Sequence, residues 1–199
     1  MVAAGEYREL GELAWSWVLS QVRDDDGPWL PEVVTDDGSP VEPAADRDCL
    51  YAGIAGLAPV LAEVGQHRPL SDAEASLATG IVTRLTRMAA IRTDASLYDG
   101  LAGDLTALRL LAPGHDRVVL RRVAELRTPA GWDAEKTDGP YHDVISGTAG
   151  VMLAASWAGG DDAAEIMSTG GDALLRAAEP TEGGLDWRMR ADVEEVAAV

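Results

Sequence analysis

His142 and Asp143 stand side by side, and they are the titratable neighbours best placed for acid–base work. An imidazole titrates near neutral pH, and an adjacent carboxylate can orient its ring. The same pair has a structural use, because an aspartate ahead of Val144 suits a helix start and accepts from an orphan N–H. Asp48, Asp99 and Asp143 fall at one end of three similar segments, so two of them could serve as acid and base on a glycosidic bond. An inverting pair needs about 6.5–9.5 Å between carboxyls. Six Trp would suit a carbohydrate groove, yet Trp15, Trp17 and Trp157 fall within helical patterns and are expected in the core. Tyr51, Tyr98 and Asp99 are candidate substrate contacts; the two tyrosines also suit wedging between helices. Cys49 is the single cysteine, which excludes an internal disulfide and a multi-cysteine metal site. Beside an apolar run it reads as core. His67 and His115 fall between helices and are expected to be exposed.

These residues are carried by a phrase used three times. Leu50–Gly56 returns as Leu97–Gly103 and, more loosely, as Val144–Gly150. From Gly53 to Gly100 is 47 positions, and from Gly100 to Gly147 is 47 again. Such a period marks a repeated supersecondary unit. Gly53/Gly56, Gly100/Gly103 and Gly147/Gly150 fall where a loop becomes a helix, with both glycines expected on one side of its first turn. Glycine there lets a neighbouring backbone approach closely, so the same packing is expected in every unit.

Apolar helices are expected over 49–64, 97–112 and 143–158, interleaved with amphipathic ones. The first of these runs from Glu6 to Val22. The second is opened by Ser71 with Glu74 as a capping box, and shows Leu77, Ile81, Leu85 and Met88 on one face. The others run from His115 to Leu126 and from Asp162 to Ala178. Trp29–Pro43 and Thr128–Tyr141 read as loops, and strand signals are weak. The expected fold is all-α over residues 1–199 as one domain. Helical hairpins would close into an α/α toroid or stack as a solenoid, apolar helices inside.

Hydrophobic content of 47% over 199 residues suits a domain with a real core. A net charge of -18 argues against nucleic acid as partner and favours solubility. No apolar stretch is long enough to span a bilayer and the start is no signal peptide, so a cytoplasmic location is expected.

The repeats, above all His142-Asp143-Val144-Ile145-Ser146-Gly147-Thr148-Ala149-Gly150, resemble the lanthionine synthetase C-like family, as does the Gly184-Leu185-Asp186-Trp187 stretch. The resemblance implies an α/α toroid that acts on a peptide. A zinc ion there activates a cysteine thiol for addition to a dehydrated Ser or Thr. It matches Asp143 to the aspartate of the third repeat beside the active site, with His142 adjacent. The family's zinc ligands come from Trp-Cys-x-Gly and Cys-His-Gly motifs, and a further active-site histidine from a Ser-His-Gly motif; none occurs here. The chain is therefore expected to form the N-terminal half of such a toroid, without zinc and inactive alone. Its partners would be a peptide, a partner protein, a second copy or a complementing chain. Two rival expectations stand beside this one: a non-catalytic scaffold, and an α/α-toroid glycosidase.

Overall fold

Alternating apolar and amphipathic patterns fold into a two-layer array of helical hairpins. The computed structural model describes residues 4–35, 39–41, 46–133 and 140–187. The acidic, Ala/Val-rich end and the middle of the Thr128–Tyr141 loop lie outside the described residues. Helix α1 (Ala4–Gln21) comes first. Three hairpins follow, pairing α2 (Ala58–His67) with α3 (Asp72–Met88), α4 (Leu101–Leu111) with α5 (Asp116–Glu125), and α6 (Thr148–Ala158) with α7 (Asp161–Ala177). In the inner layer α4 packs between α2 and α6, and α5 packs between α4 and α7 outside it.

Residue types decide the layers. From Leu101 to Leu111 no position of α4 is exposed, as a helix apolar almost all round requires. In α5 one face buries Val119, Leu120, Val123 and Ala124 while Arg117 and Arg121 stay in solvent. Within each hairpin the connection is short. Between hairpins, long segments return across one end of the array and deliver the chain to the N-termini of α4 and α6.

The capping box at α3 is present: Ser71 Oγ accepts from Glu74 N (3.3 Å) and Glu74 Oε2 from Ser71 N (2.7 Å). Glu74 is buried, and it also accepts from Trp15 Nε1 (2.7 Å) and from Arg68 (2.8 Å). Arg68 reaches on to Glu12 (3.1 Å), so one carboxylate pins α1 to the first hairpin.

Several expectations are corrected. The inner helices begin later than 49, 97 and 143. A 3₁₀ turn over Ile54–Leu57 leads into α2, while α4 and α6 start after Gly100 and Gly147. The first glycine of each pair is thus an extended residue ahead of the helix. Trp15 is core, but Trp17 and Trp157 are 60% and 48% exposed. Trp15 and Val18 turn α1 inward, which sends Tyr7, Leu10, Leu13 and Trp17 outward.

Trp132, from a loop with no periodicity to mark it, is the largest fully buried side chain, and its Nε1 donates to the Val123 carbonyl (2.7 Å). Three antiparallel two-stranded hairpins also appear: β1 (Arg23–Asp24) with β2 (Pro28–Trp29), β3 (Val33–Val34) with β4 (Pro40–Val41), and β5 (Glu179–Thr181) with β6 (Gly184–Asp186). Among the described residues no helix is long and apolar enough to cross a membrane.

Candidate functional site

The segments entering the three inner helices have one construction. Six residues before the first glycine, a carbonyl (Arg47, Asp94, Tyr141) accepts from the N–H just after that glycine: Ile54 (2.9 Å), Leu101 (2.9 Å) and Thr148 (2.8 Å). The glycine lies against this carbonyl, where a Cβ would collide with it. Each second glycine lies against the carbonyl of Leu50, Leu97 or Val144 in its own turn.

The side chain four residues before the first glycine braces the turn. Cys49 Sγ accepts from Ala52 N (3.3 Å), Ser96 Oγ from Asp99 N (3.3 Å), and Asp143 Oδ1 from Ser146 N (2.7 Å). Asp143 Oδ1 accepts from Ile145 N as well (2.6 Å). The carboxylate therefore holds its own turn, ahead of the helix start, and His142 Nδ1 is buried without a hydrogen-bond partner. Asp143 does not orient that ring through Nδ1. Burial holds the imidazole below its ordinary titration range against the pull of Asp143.

Successive turns interlock. Tyr51 N donates to the Tyr98 carbonyl and Tyr98 N to the Ile145 carbonyl, each at 3.1 Å. The Tyr51 and Tyr98 rings stack with centroids 5.5 Å apart. A Cβ on Gly103 would stand 2.9 Å from Leu50 Cβ, and one on Gly150 would stand 3.0 Å from Leu97 Cβ. The leucine of one repeat thus seats on the second glycine of the next. The outcome is a ladder of Tyr51, Tyr98 and Ile145 across the loop end, with Tyr51 75% and Ile145 51% exposed and Asp99 half-buried beside it. The structure brings the three candidate contacts Tyr51, Tyr98 and Asp99 together. His142 is turned instead toward the C-terminal half of α7.

Beneath the ladder lies an ionic layer that periodicity alone does not reveal. Arg92 binds both Asp104 oxygens (2.6 and 2.7 Å), Asp46 (2.9 Å) and the Asp99 carbonyl. Arg84 binds Asp48 and the Asp26 carbonyl. Asp48 and Asp104 have no solvent exposure. Burial pushes Asp104 up to about 7 in spite of Arg92, with Asp48 and Asp46 adding to the rise. The available signal was a break in the repeat: Asp104 occupies the place of Leu57 and Val151.

Asp48 is thus closed off by Arg84, while His67 and His115 are exposed as expected. Burial pushes the Cys49 thiol up, which makes it a poor nucleophile at neutral pH. The residues present do not fit the zinc site of the family this chain resembles. The single thiol of the chain, Cys49, is buried and engaged in a turn, and among the described residues no three His, Cys, Asp or Glu side chains group as metal ligands would. Comparison with protein-family models, with curated proteins and with solved structures finds no match for this chain.

Proposed function

We propose that this chain is a binding module of lanthionine synthetase C-like architecture. It holds an extended peptide or partner segment on the ladder at the loop end and performs no chemistry alone. The observation that carries this reading is the exposed Tyr51 ring stacked on the half-buried Tyr98 and continued along the backbone ladder by the exposed Ile145. Repeat arrays use surfaces that run across successive units for binding, and clustered exposed apolar groups mark contact sites. Tyrosine is a frequent energetic anchor in such contacts.

With Asp99 at the ladder and a net charge of -18, the favoured segment is apolar or aromatic with basic side chains. Toroid closure, by a second copy or a complementing chain, belongs to the same proposal. The test is selection from a random peptide library, followed by affinity measurement on Tyr51→Ala and Tyr98→Ala. Each substitution is expected to weaken the selected peptides about tenfold, or ~1.4 kcal/mol, with helicity unchanged; equal affinity would remove the ladder as the site. A dehydrated, cysteine-bearing peptide incubated with the chain and zinc is expected to keep an alkylatable thiol. Loss of that thiol would overturn the non-catalytic reading.

A further inference from the structure

Both junctions between repeats are made by one lock. Leu50 seats on Gly103, while the next residue, Tyr51, donates its N–H to the Tyr98 carbonyl and stacks its ring on Tyr98. Leu97 seats on Gly150 in the same way, while Tyr98 N donates to the Ile145 carbonyl. The earlier repeat supplies the aliphatic side chain and the donor, and the later one supplies the glycine and the acceptor. The first repeat therefore presents a receiving half that none of the three repeats engages.

That half stands at the surface. A Cβ on Gly56 would meet the Leu50 carbonyl of its own turn, as the equivalent glycines do. Among the described residues, however, no side chain of another repeat lies within 4 Å of it. Gly103 and Gly150 are buried, whereas Gly56 is half-buried. Tyr51, which bears the equivalent carbonyl, is 75% exposed, and Tyr98 covers only one face of its ring.

The opposite edge is closed. Val144 and Ile145 align with Leu50 and Tyr51, so they are the supplying half for any further unit. Ile145 N, however, donates to Asp143 Oδ1 (2.6 Å), and the ladder donor is used within its own turn. Val144 is also smaller than leucine. A second copy thus lacks the half that the Tyr51 edge would receive, and the segment that fits must come from a different chain.

We propose that the Tyr51–Gly56 edge docks a segment of a partner protein through a leucine followed by an aromatic residue. The leucine would seat on Gly56, the N–H of the aromatic residue would donate to the Tyr51 carbonyl, and its ring would stack on the outer face of Tyr51. The first internal junction shows all three contacts made, and the second shows two of them. Main-chain bonding of this kind supplies affinity and register, while the socket selects the side chain. Glycine suits the socket because it lets the partner approach closely. The proposal rests on the reading of the ladder as a peptide-binding surface, and it fixes the end, the register and the side chains of the bound segment.

The probe is a blocked peptide, acetyl-Ser-Arg-Leu-Tyr-Ala-Gly-amide, titrated into the full chain with the backbone amides followed by proton–nitrogen correlation. Amide signals from Tyr51 to Leu57 are expected to shift saturably while those from Ser146 to Val151 stay in place. N-methylation of the peptide tyrosine removes only the ladder donor and should weaken binding about fivefold. Replacing the peptide leucine by alanine should weaken it about tenfold. These changes leave the protein untouched, so its folding is not in play. No saturable shift, shifts centred on Ile145, or equal binding by the two altered peptides would overturn the proposal. Library-selected peptides that depend on Tyr51 yet lack a leucine–aromatic pair would overturn it too, and would leave the ladder reading standing. Selected peptides indifferent to Tyr51→Ala would remove that reading and the proposal with it.

Discussion

Arg92 holds more of the site than any other single side chain, since it gathers Asp104, Asp46 and the Asp99 carbonyl from three stretches of chain. Asp104→Leu would leave its charge buried and short of its main partner, a loss expected to cost about 3–5 kcal/mol. The double variant Asp104→Leu/Arg92→Met should recover most of that, because Leu57 and Val151 already fill the equivalent place in the other repeats. Urea unfolding of both variants checks this, and a double variant as unstable as the single one would refute it.

The pH dependence follows from the same carboxyl. With its folded value raised to about 7, Asp104 keeps a proton that the unfolded chain releases near 3.8. Its contribution is full below the unfolded value and is lost as pH rises through about 7. His142 acts oppositely: its depressed folded value makes stability fall as pH drops through 6.5. In a His142→Gln background only the Asp104 effect remains between pH 6.5 and 8, so Tm should fall across that window and stay flat when Asp104→Asn is added. Calorimetry at several pH values decides it.

Asp143 was legible as a cap in kind but not in place. Cys49, Ser96 and Asp143 share one duty, and residue chemistry disguises it because a thiol, a hydroxyl and a carboxylate all serve as acceptors.

At the level of elements, the glycine spacing announced three equal units, and the hairpins bear that period. What spacing could not tell is that the first glycine precedes the helix. A loop that folds back onto its own carbonyl leaves no local sequence period, so helix starts were read several residues early. Trp132 was missed for the same reason, since it enters the core from a loop. The glycines also divide by surroundings. A Cβ at Gly103 would meet the Leu97 carbonyl and Leu50 Cβ, whereas at Gly11 in α1 and Gly171 in α7 it would meet nothing within 4 Å. Gly11→Ala and Gly171→Ala should therefore each stabilise by about 0.5–1 kcal/mol, the helix-interior cost of glycine. Gly103→Ala should destabilise by about 1–3 kcal/mol, the range for overpacking a tight site. Thermal denaturation of the three variants tests whether the repeat glycine is there for close approach. A Gly103→Ala variant as stable as the parent would mean that the junction between the first two repeats yields without strain.

For the whole molecule, two surface properties pull in opposite directions. The chain carries a net charge of -18, which keeps copies apart. Yet α1 turns Tyr7, Leu10, Leu13 and Trp17 to solvent, each at least 60% exposed and spaced along one side of the helix. Exposed apolar groups gathered this way favour association. Charge repulsion reaches about 30 Å at 0.01 M salt and about 3 Å at 1 M, while the apolar attraction is not screened. The balance should therefore move with ionic strength, in the direction opposite to that of an interface held by ion pairs. Sedimentation velocity is expected to give a monomer at low salt and larger species at high salt. Trp17→Glu, at the C-terminal end of the exposed stripe and on the other side of α1 from the Trp15–Glu74 contact that anchors it, should keep the chain monomeric at both. Equal sedimentation of the parent chain under the two conditions would show that charge is not what restrains this surface. Association that persists in Trp17→Glu would instead place the contact elsewhere, with the exposed Leu153 and Trp157 of α6 as the next surface to substitute.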